Sequence, residues 1–222
     1  MPDSIIKADN ISSLSGGGVG FPDGSVSNPS MKFTNDTDTG LYRIDANKIG
    51  ISTGGNKVGE IGNGYGGFTG NIIQVQSTTK SDVFSTTTTG TFLDVPNLFV
   101  TITPRYITSK ILVMMSISYI CDTNANAFQA RVLRDSTPIG IGDVLGSRSR
   151  STVGGQRTTD PANPLTQSIQ FLDSPSSTSL LTYKIQVFNQ GATLYVNRSG
   201  DTSDDATRSA TISNITVMEV QQ

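Results

Sequence analysis

The sequence predicts an all-β fold in two parts, a short β-meander stalk followed by an antiparallel jelly-roll sandwich. None of the 222 residues belongs to a helical repeat of apolar positions longer than a turn or two, whereas short alternating segments recur throughout. Near residue 70, a glycine- and asparagine-rich run of very short strand patterns gives way to longer alternating strands. These two observations predict a thin stem joined to a compact β domain.

Residues 28–70 are the predicted stalk. Short strand patterns at 42–44, 48–52 and 57–61 are separated by Asp45-Ala46-Asn47 and Gly54-Gly55-Asn56, residue types that favour tight turns. A segment this rich in glycine cannot offset the entropy of its ordering by its own burial, so we expect copies of the chain to cover it. Association of such copies would place four apolar side chains inward, namely Ile49, Ile51, Val58 and Ile61.

Residues 71–222 are the predicted sandwich. About 150 residues bury enough surface for an independent core. Strand patterns occur at 72–77, 92–95, 98–103, 110–121, 128–134, 138–144, 167–172, 180–189, 193–197 and 210–220. Eight to ten strands in this length fit a jelly roll better than a seven-stranded immunoglobulin-like domain.

One strand pattern has apolar residues on both faces. Residues 111–119 alternate except at Leu112-Val113-Met114-Met115. Such a strand needs a second apolar neighbour, which is either another sheet of the same chain or another subunit. Both interpretations remain open from the sequence.

Composition excludes several classes of partner. The net charge is −2, the pI is near 5.0, and no cluster of Lys and Arg stands out, so neither nucleic acid nor an anionic membrane is an expected partner. The first residues lack the apolar core of a signal peptide, and the longest aliphatic run is too short to cross a bilayer, so we expect synthesis in a cytoplasm without membrane insertion.

The sequence predicts no enzyme and no cofactor. It contains no histidine, which removes the usual general base and the commonest zinc ligand. Asp36 and Asp38 partly match a calcium loop, but the third acidic position and the distal Glu are missing, so no metal is predicted. The remaining carboxylates lie among Ser, Thr, Asn and Gly, where they are typical caps of turns. The single cysteine, Cys121, is expected to be a small buried apolar residue.

Several spaced segments resemble bacteriophage fibre proteins. They are VTITP at 100–104, SKILV at 109–113, RDSTPIGIGD at 134–143, YKIQV at 183–187, YVNRS at 195–199 and ITVMEV at 215–220, which resemble fibre heads with a trimeric C1q/TNF-like jelly roll. The segments NPSMKF at 28–33, DTDTGLY at 36–42, NKIGI at 47–51 and VGEI at 58–61 are similar to the stalk repeat of phage tail fibres. The long repetitive β-helix of enzymatic tailspikes is missing.

The resemblance implies a homotrimeric virion protein that attaches to a host. Residues 1–27 would bind other virion proteins of the tail or capsid, or form a disordered tail. The 71–222 knob would bind a cell-surface glycan or protein, and trimeric display would multiply weak contacts. Candidate receptor-binding residues lie in polar loops: Asn124, Asn126, Arg148, Arg150, Arg157, Asp204 and Arg208. Arginine in such loops pairs well with carboxylate or phosphate groups of glycans.

Three alternatives remain open from the sequence. The trimer could have a purely structural role, as a capsid fibre, a decoration protein or a tail adaptor. A carbohydrate-active enzyme would use paired carboxylates, for which Asp201, Asp204 and Asp205 are the candidates. A C1q-like lectin unrelated to viruses is disfavoured by the stalk motif.

Overall fold

The computed structural model describes residues 12–13, 19–62, 65–68, 70–122, 127–157, 162–191, 193–201 and 203–222. The chain divides into two compact units, an N-terminal unit of Met1–Asn71 and a C-terminal unit of Ile72–Gln222. Every regular element among the described residues is a β-strand, and every pairing between the strands is antiparallel, so the all-β prediction is confirmed.

The N-terminal unit is a β-meander. Its strands are β1 (Ser12–Ser13), β2 (Val19–Gly20), β3 (Met31–Phe33), β4 (Asp36–Asp45), β5 (Lys48–Thr53), β6 (Asn56–Gly62) and β7 (Tyr65–Phe68). Strands β3 to β7 form one sheet in chain order, and β1 pairs with β2. The β5–β6 turn has two left-handed glycines, Gly54 and Gly55, as a two-residue hairpin loop requires. The strand β7 lies in a glycine-rich stretch of the sequence.

The C-terminal unit contains eleven strands in its described residues. They are β8 (Ile72–Lys80), β9 (Phe84–Thr86), β10 (Phe92–Ile102), β11 (Lys110–Cys121), β12 (Ala127–Arg134), β13 (Thr137–Ile139), β14 (Val153–Arg157), β15 (Leu165–Asp173), β16 (Leu181–Asn189), β17 (Leu194–Val196) and β18 (Ser213–Val220). Two patterns predicted as separate strands, around Pro96, form the single strand β10. The register shifts there, with Asn97 left-handed, so a bulge accommodates the proline instead of ending the strand.

The eleven strands form two sheets. The first sheet has the order β8-β18-β11-β15, and β9 and β17 extend it beside β11; the second has the order β10-β16-β12, with β13 and β14 on the outer edge of β12. Strands distant in sequence are neighbours in both sheets. This arrangement confirms the predicted jelly-roll-like antiparallel sandwich.

The core lies between the two sheets. Alternate residues of β11 point inward, including Ile111, Val113 and Ile117, which are fully buried. Across the core, the rings of Tyr119 and Phe128 stack with centroids 3.4 Å apart. The intervening residues Leu112 and Met114 point outward and are half-buried. The second apolar face of β11 is therefore not covered by the other sheet of the same unit.

The thiol of Cys121 lies in this core, at the end of β11. Burial, together with the charge of Asp122, raises its pKa from 9.0 to about 11. The thiol of the folded protein therefore ionises at a higher pH than the thiol of the unfolded chain. Its contribution to stability is complete below pH 9.0 and is lost as the pH rises through about 11.

We expect Cys121 to be unreactive in the folded protein, because only the thiolate attacks thiol reagents and the site is closed to solvent. At pH 8, a chromogenic disulfide reagent should release chromophore only at the rate of unfolding, and at once in guanidinium chloride. Rapid stoichiometric labelling of the native protein would contradict the buried position of this thiol.

Candidate functional site

One face of the sheet in the N-terminal unit carries a group of exposed apolar side chains. Cross-strand register puts Met31, Leu41, Ile51 and Phe68 in one row and Ile49 beside Ile61 in the next row of the same face. We call these six residues the isoleucine face. Met31, Ile49, Ile61 and Phe68 are each 46–53% exposed, so the described part of the unit leaves the face open to solvent.

The opposite face of this sheet is partly closed by its own chain. The ring of Tyr42 packs over Gly50, where a Cβ atom would lie 2.5 Å from ring carbons. The hydroxyl of Ser52 donates to the carbonyl oxygens of Val26 and Asp38, so the segment before β3 lies against this side. Val58 lies where the β5–β6 register shifts, between the pairs Ser52–Lys57 and Ile51–Gly59. Of the four predicted stalk-core residues, Ile49, Ile51 and Ile61 therefore share a face, and strand alternation does not assign Val58 to it.

The C-terminal unit also has an open apolar surface, on the outer side of its first sheet. Leu172 of β15, Leu112 of β11, Met218 of β18 and Val75 of β8 follow one another across the four strands in direct register. We call these residues the apolar row. Leu172 and Val75, at its two ends, are 55% and 51% exposed. A hydrophobic row that crosses a whole sheet is a typical contact surface for another subunit.

The rest of this sheet face is polar. Beyond the apolar row, the hydroxyl of Ser77 bonds to that of Thr216 at 2.7 Å, and Ser168 donates to Ser116 at 3.0 Å. Asn214 lies beside Ser116 in the same row. These side chains satisfy one another across the strands, so the face changes from apolar at one end to hydroxyl-rich at the other.

The predicted receptor-binding residues occupy separate loops. Arg148 and Arg150 lie on an exposed excursion, residues 142–151, that leaves the sandwich between β13 and β14. Its base is closed by Gly142, whose N–H donates to Ser151 O at 3.3 Å and whose carbonyl accepts from Arg150 Nε at 2.6 Å. Arg148 makes no side-chain hydrogen bond or ion pair with the described residues.

The other predicted residues fall in different places. Arg157 is the last residue of β14, opposite Ala127 of β12. Asn124 and Asn126 lie outside the described residues. Asp204 and Arg208 come together in the loop of residues 198–210, which surrounds a depression of about 190 Å³.

The guanidinium of Arg208 is already engaged within its loop. It donates to Asp201 Oδ2 from Nε at 3.1 Å and from Nη2 at 2.9 Å. The other oxygen of Asp201 accepts from the backbone N–H and the hydroxyl of Ser203, both at 2.9 Å. Asp204 is exposed, with no such bond among the described residues. The ion pair between Arg208 and Asp201 stabilises the conformation of this loop. Arg208 therefore has a structural role within the loop.

The acids of this loop have depressed pKa values. Hydrogen bonds from Ser203 and then from Arg208 lower the pKa of Asp201, and hydrogen bonds from Thr207 lower that of Asp205. A glycosidase acid must instead hold its proton near neutral pH, which needs a raised pKa. Asp201 and Asp205 therefore act as ionised caps of turns, and they are unsuited to protonate a leaving group.

A group that the sequence did not indicate lies on the outer face of the second sheet. Asp94 accepts from Lys184 Nζ and Gln186 Nε2, both at 2.7 Å, and Arg131 Nε donates to Gln186 Oε1 at 2.9 Å. The guanidinium of Arg131 lies 3.9 Å from the centroid of the Phe92 ring. Burial opposes ionisation of Asp94, but the two hydrogen bonds outweigh it and lower its pKa. The sequence could not reveal this cluster because its members come from three strands.

Neither a metal site nor a membrane span emerges in the described residues. No three His, Cys, Asp or Glu residues of this part of the chain are placed to hold a metal ion. The described part of the chain contains no helix with the length and apolar composition that crossing a bilayer requires.

Comparison with known proteins finds distant structural similarity alone. No protein-family model and no curated protein matches the chain. It is similar to a structure of T=1 particles derived from infectious bursal virus, with TM-score 0.38 and 12% identity over 90% of this chain and 57% of that one. It is also similar to the VP2 subviral particle of infectious bursal disease virus, with TM-score 0.38 and 12% identity over 95% of this chain and 63% of that one. The chain thus spans less than two thirds of either, and similarity at this level carries no weight for function.

Proposed function

We propose that this chain is a non-enzymatic, homotrimeric fibre protein of a bacteriophage virion. Its N-terminal segment would attach to tail or capsid proteins, and its C-terminal sandwich would bind the surface of a host cell. The observation that supports this best is that each of the two units has an open apolar face, the isoleucine face and the apolar row.

A second copy of the chain is the partner that suits these faces. The isoleucine face belongs to a five-stranded sheet that has little core of its own, because its opposite side packs mainly against the segment before β3. A single sheet with one bare apolar face is unstable in water and prone to aggregate. Association of identical chains around an axis covers all copies of such a face at once, and closes the assembly.

The host-binding part of the proposal is supported by the arrangement of the C-terminal unit. The 142–151 excursion carries two arginines, and residues 142–150 of it are exposed. Three copies of such a loop on one particle would bind together, so that a weak single contact becomes tight adhesion. A purely structural fibre or adaptor would have the same faces and would show no adhesion.

The solution mass of the full chain tests assembly. Light scattering after gel filtration should give three times 23.5 kDa. The labelled trimer should then adsorb to cells of a bacterial host, and unlabelled protein should compete with it. A monomer would overturn the fibre proposal, whereas a trimer that adsorbs to no cell would support the structural alternative.

A further inference from the structure

We propose that the outer face of the second sheet of the C-terminal unit is a binding site for a saccharide that carries a carboxylate. The site lies between the Phe188 ring and the 142–151 excursion. This inference rests on the proposed host-binding function and names the ligand class that the sandwich would take.

The floor of the site is one row of residues across four strands. In direct register stand Phe92 of β10, Phe188 of β16, Gln129 of β12 and Gly154 of β14. We call this the aromatic row. The two rings are in contact, with centroids 5.3 Å apart. The row continues with the amide side chain of Gln129 and ends at Gly154, which has no side chain.

The wall of the site is the excursion that follows. Arg148, Ser149, Ser151 and Thr152 stand beside Gln129 and Gly154, and together they surround a groove of about 460 Å³. Gly154 keeps the groove open, since a Cβ atom there would lie 3.2 Å from Gln129 Cγ and 3.3 Å from Ser151 Oγ. The groove therefore has an amide floor and a hydroxyl-rich wall with one cation. The Phe188 ring lies outside this lining, next to Gln129 in the aromatic row.

Two polar groups of this groove have no partner among the described residues. The Oε1 atom of Gln129 is buried and accepts no hydrogen bond. A buried acceptor left unpaired costs stability, which a ligand hydroxyl would recover. The guanidinium of Arg148 is exposed and has no acid beside it, unlike that of Arg208.

The chemistry of these groups selects the ligand. An aromatic ring packs against the C–H face of a sugar, an amide oxygen accepts from its hydroxyls, and a guanidinium binds a carboxylate with two parallel hydrogen bonds. A neutral sugar would leave Arg148 unpaired. The side chains of the neighbouring cluster, Arg131, Gln186 and Asp94, hydrogen-bond to one another, so this cluster supports the floor of the site. Arg148 therefore supplies the positive charge that binds the carboxylate of the ligand.

Matched pairs of sugars test the site on the full-length protein. Methyl glucuronide and methyl galacturonide would be titrated by ligand-observed NMR beside methyl glucoside and methyl galactoside. We expect at least one uronide to bind about tenfold more tightly than its neutral counterpart, the effect of one charge-assisted contact. Failure of both uronides to bind would overturn the inference, while trimer mass and cell adsorption would still decide the proposed function.

Three variants locate the binding. Arg148→Ala should remove the preference for the uronide, and Gly154→Val should abolish binding by filling the groove without removing a polar group. Arg43→Ala, which deletes an ion-paired arginine of the N-terminal unit, should leave uronide binding unchanged. Each variant would first be shown to keep the wild-type melting temperature. Uronide binding that survives both Arg148→Ala and Gly154→Val would place the ligand elsewhere and contradict the proposed site.

Discussion

Replacing Ile49 and Ile61 together by aspartate is expected to reduce the assembled protein to 23.5 kDa monomers. The two side chains are neighbours across β5 and β6 and are 46% and 53% exposed in the single chain. Three copies would bring six carboxylates into one apolar contact, where burial of unpaired charge costs several kcal/mol per ion. Light scattering after gel filtration measures the mass directly.

A control separates assembly from general loss of solubility. Val144 and Leu145 are 74% and 62% exposed, on the 142–151 excursion, so their replacement by aspartate makes the same chemical change outside the two apolar faces. That variant should remain a trimer. If the Ile49 and Ile61 variant also remains a trimer, the isoleucine face takes no part in the assembly.

The second large effect is expected from Asp173→Ala in the C-terminal unit. Asp173 is nearly buried and accepts hydrogen bonds on both oxygens from Arg134 Nη1 at 2.7 Å, and from the Tyr183 hydroxyl, also at 2.7 Å. Burial and then the Asp173 carboxylate raise the pKa of Tyr183, so this phenol stays a hydrogen-bond donor. The variant leaves the phenol and the guanidinium without their acceptor.

Loss of one partner from such a buried cluster lowers the free energy of unfolding by about 3 kcal/mol. For a chain of this size, that corresponds to a fall in melting temperature of roughly 6–12 °C. Circular dichroism during heating measures it. Asp204→Ala removes an exposed carboxylate and should change stability by less than about 0.5 kcal/mol. Equal melting temperatures for the two variants would show that the Asp173 cluster contributes no net stability.

Local residue types were sufficient to predict the class of fold. Alternation in β16 and β18 shows which side of each strand is buried, because successive side chains of a strand point to opposite faces. Turn residues such as Asn47 and Gly54 mark the hairpins of the meander, since they adopt left-handed backbone angles at little cost. Both signals are local, so a single sequence carries them.

The rows of side chains across the sheets were decided only by tertiary structure. The apolar row joins residues as distant as Val75 and Met218, and the aromatic row joins Phe92 to Gly154, through register that no local pattern specifies. The same holds for Arg208, an apparent binding residue that Asp201 neutralises within its loop. The sequence by itself thus determined the strands and their buried sides. Their neighbours, and hence the surfaces available to a partner, depend on long-range pairing that only the folded chain defines.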